Sequence, residues 1–517
     1  MGILRYTASA DNTIVNAYQA DLETRGTGSN TGMSDVLEAF SIYGRINSSS
    51  QELSRILIKF PMTGISSDRT AGTLPDSGSV NFYLRMFNAP HSRTVPRDYI
   101  LNILAISQDW EEGVGMDMNG YVDLNVGNIG SDWIQRSKGN TWSSVGGTYM
   151  NSPDYSYSTF LSGGIEDLEV NITPLVERWL AGDQNNYGVG VFLSASYEAS
   201  SSEFSVSKDS NVILNSDGAR KSYYTKRFFA RGTQYFFKRP VIEARWNAPV
   251  KDDRGNFYFS SSRAPAADNL NKIFLYNKVR GRLVNLPGIG TNNPQVCLFS
   301  GSSDNSEPSG SATKIYTGAT DTPVTVVTGA YVSTGIYSCE LCVTKSNIDT
   351  LYDVWFSGSD SVADATTASR QYFTGSITPE SYESNMTDIE PTYYINITNL
   401  KNSYYHNEKA RLNLYVREKN WDPTIYTVAN NNIESIGIRT ASYGIVRLID
   451  NQMVIPFGTG SVKHTVLSYN VSGNYFDFSM NLLEKGYAYA FKFMFYDDTI
   501  NGWVEQDKSF KFRIEES

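Results

Sequence analysis

Cysteine is scarce in this chain: Cys297, Cys339 and Cys342 are the whole supply in 517 residues. Three thiols cannot build a disulfide scaffold, and they fit folding in a reducing compartment. Histidine is equally rare. His91, His406 and His464 lie far apart, without cysteine or carboxylate neighbours at ligand spacing, so a histidine-based metal centre has almost no material. No apolar run approaches the roughly 18 residues needed to cross a bilayer. The opening MGILRYTASADNT lacks a basic stretch followed by an apolar core, so it carries no export signal, and Tyr6 stands where an acyl anchor on Gly2 needs Ser or Thr. Positive charge is also short: 44 basic residues face 54 acidic ones, a net charge of -10, with no block of like sign. That balance argues against a broad grip on nucleic-acid phosphates or anionic lipid.

What the chain has in quantity is tyrosine, 34 residues, and glycine, 41. Runs such as SRILIKF, SVNFYLRMFN, DYILNILAIS, EDLEVNI and PVIEARW alternate with a period of two and are broken by turn residues, the pattern of all-β sandwiches. In SVNFYLRMF, Val80, Phe82, Leu84 and Met86 share one face, opposite Tyr83, Arg85 and Phe87. Both faces carry bulk, which predicts a central strand covered on both sides. Polar, Pro- and Gly-punctuated stretches follow residue 247 and residue 380. They divide the chain into three tandem β-sandwich domains: a jelly roll over 1–247 and two immunoglobulin-like sandwiches over 248–380 and 381–517. SGSSDNSEPSGSA within the second reads as a flexible loop by composition.

One helix stands out, in ITPLVERWLAGDQNNYGVGVFLS. Thr173 suits the cap, Pro174 the first helical position, and Gly182 the positive φ that ends a helix. Leu175, Val176, Trp179 and Leu180 gather on one side. This predicts a short plug closing one end of the first sandwich, with those four side chains in its core.

The chemistry-bearing residues are few. CELC, with Cys339 and Cys342, sits in an alternating strand pattern, where three positions apart means opposite faces, so structural thiols are expected, Cys297 included. Glu111 and Glu112 beside Trp110, and Asp252 and Asp253 in KDDRGN, are carboxylate pairs, but solvated loop charge is the commoner fate of such pairs. KDDRGN also has the residue types of a calcium-binding turn, without EF-hand spacing. No GxSxG elbow is present. GTGSNTG, residues 26–32, lacks the lysine of a phosphate-binding loop and reads as a mobile surface loop. Trp133, Trp142, Tyr155 and Tyr157 occupy the loop-rich part of the first domain, where aromatics either stack on a sugar or partner surface or serve as half-buried supports. The reading is of a chain with no catalytic residues, cofactor or metal.

Phe60, then Asp109, Trp110 and Glu112, then Thr173, Val176, Trp179, Gly182 and Gly188, follow an order that resembles the DNRLRE-type domain, a jelly roll related to some carbohydrate-binding modules. The likeness covers about the first 247 residues and implies a scaffold; it transfers no sugar-contacting residue, and the insertion GMDMNGYVDLNVGNIGSDWIQRSKGN departs from it. The connector FFKRPVIEARWNAPVKDDRGNFYFSSSRAPAADNLNKIFLYN and the segment RLNLYVREKNWDPTIYTVA are similar to segments of virion structural proteins of tailed bacteriophages, marine myoviruses in particular. That resemblance implies a non-enzymatic neck, tail, baseplate or fibre-base protein, assembled in the host bacterial cytoplasm. It would form homo-oligomers, bind other virion proteins and contact a host-surface polysaccharide. The alternative is an extracellular carbohydrate-binding protein with two spacer domains, and a glycan-degrading enzyme ranks third.

Overall fold

The computed structural model describes residues 2–516 except 22, 44–50, 91–95, 117–129, 202–211, 220–221, 263, 266, 304–306, 319–321, 345–346, 382–391, 420, 422–424, 426–434 and 499. The chain is all-β, a series of two-sheet sandwiches. In the first, a four-stranded sheet runs Ile3–Thr7, Val241–Trp246, Val80–Met86, Leu168–Asn171. It faces a seven-stranded sheet ordered Tyr223–Phe229, Val36–Tyr43, Gln51–Lys59, Val189–Leu193, Tyr99–Ala105, Ser156–Leu161, with Ala10–Val15 also on Gln51–Lys59. Val80–Met86 is central, hydrogen-bonded to Val241–Trp246 on one side and Leu168–Asn171 on the other. Its Phe82, Leu84 and Met86 are fully buried in the core between the sheets, as the alternation requires.

The plug helix spans Thr173–Ala181 and ends on Gly182 with φ 80°. Leu175, Val176 and Trp179 are buried in the sandwich core and Leu180 packs partly against it. The cap differs from expectation. Ile172 precedes the first turn without a side-chain cap, and the Thr173 hydroxyl instead accepts from the Phe82 amide at 2.8 Å. Thr173 therefore staples the helix to the central strand. Asn171 supplies the local acceptor, taking the Thr173 amide at 3.0 Å and its hydroxyl at 2.6 Å.

A second helix, Met62–Thr70, went unanticipated because MTGISSDRT buries only Ile65 and has no apolar stripe. Tertiary contacts hold it where propensity does not: Arg69 forms a two-pronged ion pair with Glu177 of the plug at 2.8 Å for each bond, and Asp68 accepts the Tyr6 hydroxyl at 2.7 Å. A third, Val362–Ala365, is one turn. Two loop expectations are corrected. Gln295–Ser303 and Glu307–Ala312 pair as antiparallel strands, so most of SGSSDNSEPSGSA is a hairpin and not a loop. In GTGSNTG, Ser29, Asn30 and Thr31 are buried. The Asn30 carboxamide accepts from the Gly115 amide at 3.0 Å, and the Thr31 amide donates to Asn12 at 3.1 Å, which replaces the mobile surface loop by a pinned one. Part of the insertion, 117–129, and His91 lie outside the described residues.

The second sandwich pairs a three-stranded sheet (Asn271–Tyr276, Ile336–Leu341, Ala330–Ser333) with a five-stranded one centred on Gln295–Ser303 and Leu351–Phe356. Its core holds Trp355, Tyr337 and Cys339. The third sets Tyr393–Ile397, Lys409–Glu418, Gly473–Ser479 and Ser468–Asn470 against a six-stranded sheet built on Ala488–Asp497, Ala441–Arg447 and Phe510–Glu515. Its core is phenylalanine-rich, with Phe491 and Phe512 stacked at 4.5 Å and Tyr443 and Phe476 at the same spacing. Ile3 and Phe237, from the first sandwich, are buried in this third core. The sandwiches are thus packed against one another and not merely tethered.

Trp179→Ala empties a large buried site. Chemical denaturation should show a loss of about 3–5 kcal/mol, whereas Leu180→Ala, at the half-buried rim of the same helix, should cost less than half as much.

Candidate functional site

The site that the residues themselves assemble is a joint. In Val241–Trp246 the alternation sends Ile242, Ala244 and Trp246 into the first core. Glu243 and Arg245 therefore point to the opposite face of the sheet, and both are buried there. The register brings Arg5 directly across from Glu243, and Glu169 directly across from Arg85. The Glu243 carboxylate, fully buried, accepts from Arg5 Nε at 2.6 Å, from Arg85 at 3.1 Å and from Arg245 Nε at 2.6 Å. Arg245 grips Glu169 with two bonds of 2.8 Å and lies 4.4 Å over the Tyr83 ring. Arg5 then reaches the third sandwich, donating to the Val454 carbonyl at 2.6 Å. Three guanidinium groups hold Glu243 well below the usual carboxylate range, against a burial cost that works the other way. His464 of the third sandwich is buried next to this network, and burial followed by Arg245 pushes it down to about 4.

A second joint is the KDDRGN turn. The connector runs beside Ser468–Asn470 of the third sandwich, with the Tyr469 amide donating to Val250 O at 3.0 Å and the Asp252 amide to Tyr469 O at 3.1 Å. Asp253 accepts the Tyr469 hydroxyl at 2.7 Å and the Lys272 amide of the second sandwich at 2.8 Å. Arg254 clasps Asp353 through bonds of 2.5 and 2.7 Å, and Asp353 also takes the Trp355 indole at 2.7 Å. Asp252 is pushed up to about 6 by burial. These carboxylates, expected from the sequence to be solvated loop charge, are buried and form a knot between connector, second and third sandwiches. Among the described residues no three His, Cys, Asp or Glu side chains gather as a metal site.

Glu112 is also tied down. It accepts the Asp11 amide at 2.8 Å and pairs with Arg231 through two bonds of 2.8 Å. Asp11, which nothing in the sequence singled out, is buried and held up at about 7, by burial first and the Glu112 charge among the rest. The three cysteines are free and buried, with the Cys297 and Cys339 thiols pushed up to about 12 by desolvation. They are too basic to act as thiolates at neutral pH.

Two of the aromatic candidates are corrected. Trp133 is completely buried and Trp142 nearly so, packed with Ile14, Leu53, Leu57 and Trp110 in a satellite core. The Trp142 indole donates to Asp132 O at 2.9 Å. Neither presents a face to a glycan or a partner. Tyr155 and Tyr157 are half-buried supports of the main core, Tyr155 under Arg178 at 5.1 Å and Tyr157 donating to Asp154 O at 3.0 Å. Among the exposed aromatics of the described residues is Tyr223, 66% accessible and stacked on Tyr224 at 5.1 Å, on the edge strand Tyr223–Phe229. Its run, YYTKRFF, gave no sign of this because edge position is decided by sheet order and not by local pattern.

No protein-family model and no curated protein matches the chain. Among solved structures, titin domains z1z2 in complex with telethonin align at 12% identity, covering 48% of this chain and 89% of that one, with a TM-score of 0.14. Trypsin-activated alpha-2-macroglobulin from Escherichia coli aligns at 8% identity over 89% of this chain and 24% of its own, TM-score 0.15. Salmonella alpha-2-macroglobulin reacted with methylamine aligns at 9% over 99% of this chain and 34% of its own, TM-score 0.14. Superposition this poor assigns no relationship.

Glu243→Gln leaves three guanidinium groups around a neutral amide. Unfolding free energy should fall by about 3–5 kcal/mol, with hydrogen exchange at the joint rising before exchange in the second core. The pH dependence has a definite sign. The unfolded chain protonates His464 near 6.5 while the folded one refuses the proton until about 4, so stability is full above 6.5 and falls as the pH drops through that window. Asp11 opposes it, favouring the fold when protonated and losing that contribution as the pH rises from 3.8 through about 7. Compared with the native chain, denaturant titrations from pH 4 to 7 should therefore show stability shifting downward with rising pH in His464→Gln and upward in Asp11→Asn.

Proposed function

We propose that this chain is a non-enzymatic structural component of a tailed-bacteriophage virion, a neck, tail, baseplate or fibre-base protein that joins its neighbours through β-sandwich faces. The observation that carries the reading is the pair of joints. A chain whose modules are keyed together by Arg5, held on the buried Glu243 and bonded to the Val454 carbonyl, and by the Asp253–Tyr469–Arg254–Asp353 knot suits a part that must keep its shape while its outer faces are gripped. Carboxylates of the types a hydrolase uses, Glu112, Asp252 and Asp253, are spent on those contacts and on Arg231. Buried, unpaired thiols agree with assembly in a reducing host cytoplasm. Many identical copies in a symmetric particle would make homo-oligomeric contacts as well as contacts to other virion proteins.

The second reading, a carbohydrate-binding protein with spacer domains, draws on Tyr223, whose exposed ring on a sandwich edge is the kind of surface on which a sugar stacks.

Quantitative mass spectrometry of purified particles distinguishes the two. The virion reading expects the protein in a fixed copy number that is a multiple of the local particle symmetry. Absence from particles, together with saturable retention on a polysaccharide gel that Tyr223→Ala abolishes, would overturn it in favour of the second.

A further inference from the structure

Burying a lysine without pairing it to a carboxylate is costly, and the first sandwich does so. Lys226 lies on the edge strand Tyr223–Phe229, turned inward with Phe228 of the main core, and its side chain is completely buried. Its amine donates to Asn88 Oδ1 at 2.7 Å, to Gly164 O at 3.0 Å and to Glu166 O at 2.7 Å, none of them a carboxylate oxygen.

The chain leaving the central strand Val80–Met86 delivers Asn88 to this point. The Phe229 amide donates to Phe87 O at 3.0 Å and the Ala89 amide to Arg227 O at 3.1 Å, so Asn88 stands opposite Phe228. On one face of an antiparallel pair, residues diagonal to one another are within reach of long side chains, and the diagonal from Asn88 is Lys226. The Asp167 carboxylate fixes the asparagine further by accepting its backbone amide at 2.7 Å.

The surroundings suit a reaction between the two. Burial pushes the Lys226 amine down to about 8, against the charges of Glu166 and Asp167, so a neutral, nucleophilic fraction is present at physiological pH. Glu166 Oε1 takes the Ser162 hydroxyl at 3.1 Å and the Gly163 amide. Its Oε2 is buried with no hydrogen-bond partner among the described residues, which leaves that oxygen available to take up and return a proton.

We propose that Lys226 and Asn88 condense into an intramolecular isopeptide bond. The neutral amine adds to the Asn88 carboxamide carbon. A bond forms between Nζ and Cγ, the bond between Cγ and Nδ2 breaks, and the proton lost by Nζ is carried by Glu166 to Nδ2, which leaves as ammonia. No oxidant or cofactor is consumed. The product ties the edge of the seven-stranded sheet to the chain leaving the centre of the four-stranded one, across 138 residues of sequence. It is a staple that a reducing compartment cannot open, in a chain whose free, buried cysteines supply none. The inference rests on the first sandwich alone and holds whether or not the chain belongs to a virion.

Intact-mass spectrometry of the purified full chain tests it. The expected mass falls short of the sequence by one molecule of ammonia, and protease digestion yields a branched peptide that joins the Asn88 and Lys226 segments and resists cleavage after Lys226. Asn88 is only half-buried, so Asn88→Ala keeps the fold, and it should show the full mass of its own sequence. Glu166→Gln should slow the reaction, leaving full-mass chains beside short ones in freshly made protein. Full mass in the folded native chain, even after incubation at alkaline pH where Lys226 is neutral, would overturn the proposal and leave Lys226 a charged structural residue. A deficit that survives Asn88→Ala would overturn it too, by placing the ammonia loss elsewhere, and complete closure in fresh Glu166→Gln would overturn the role given to that carboxylate.

Discussion

A carboxylate with no access to solvent survives only if its charge is answered, and Glu243 is answered three times. Taking an ion out of water costs several kcal/mol even after relaxation, and Arg5, Arg85 and Arg245 offset that cost with short, charge-assisted bonds. The network lies on the outer face of the four-stranded sheet, beneath the third sandwich, where Arg5 reaches the Val454 carbonyl. An apolar face would have buried as much surface there at lower electrostatic cost. What the ionic face adds is aim: the Glu243 network holds the Arg5 guanidinium where it donates to the Val454 carbonyl of the third sandwich. Ile3 and Phe237, crossing into the third core, add the apolar part of the same contact.

The connector continues the logic. A linker of this composition would ordinarily be free, yet 250–254 is paired with Tyr469 on one side and bound to Lys272 and Asp353 on the other. Its polar residues are therefore satisfied by neighbouring modules instead of by water. The exposed Tyr223 edge sits on a module whose placement is fixed. That arrangement suits a protein whose work is to hold partners at set positions, and it is the physical link between the joints and the proposed structural role.

Much of the fold was readable because it rests on local rules. Period-two alternation in SVNFYLRMF and PVIEARW located buried strands, and Pro174 with Gly182 bracketed the plug helix. What escaped was decided at a distance. Met62–Thr70 is helical because of Arg69–Glu177 and Tyr6–Asp68 contacts, which no window of nine residues contains. Trp133 and Trp142 lie in loop-like sequence but fold over Ile14 and Leu57 from strands far upstream. Asp252 and Asp253 look like solvated turn charges until Tyr469, more than two hundred residues on, is brought to them. The joint itself leaves only a faint sign in the sequence: PVIEARW has apolar residues on one face and Glu243 and Arg245 on the other, the pattern of a strand with one solvated face, and only the third sandwich laid over it buries the charged side.

The central claim is that the first and third sandwiches form one rigid unit through the Glu243 network. Pulsed electron–electron resonance between nitroxides placed at Ser77→Cys and Lys511→Cys, both exposed, measures it directly, the three native thiols being buried. A single narrow distance distribution that broadens in Glu243→Gln is the predicted result. A broad distribution in the native chain, unchanged by that substitution, would contradict the account.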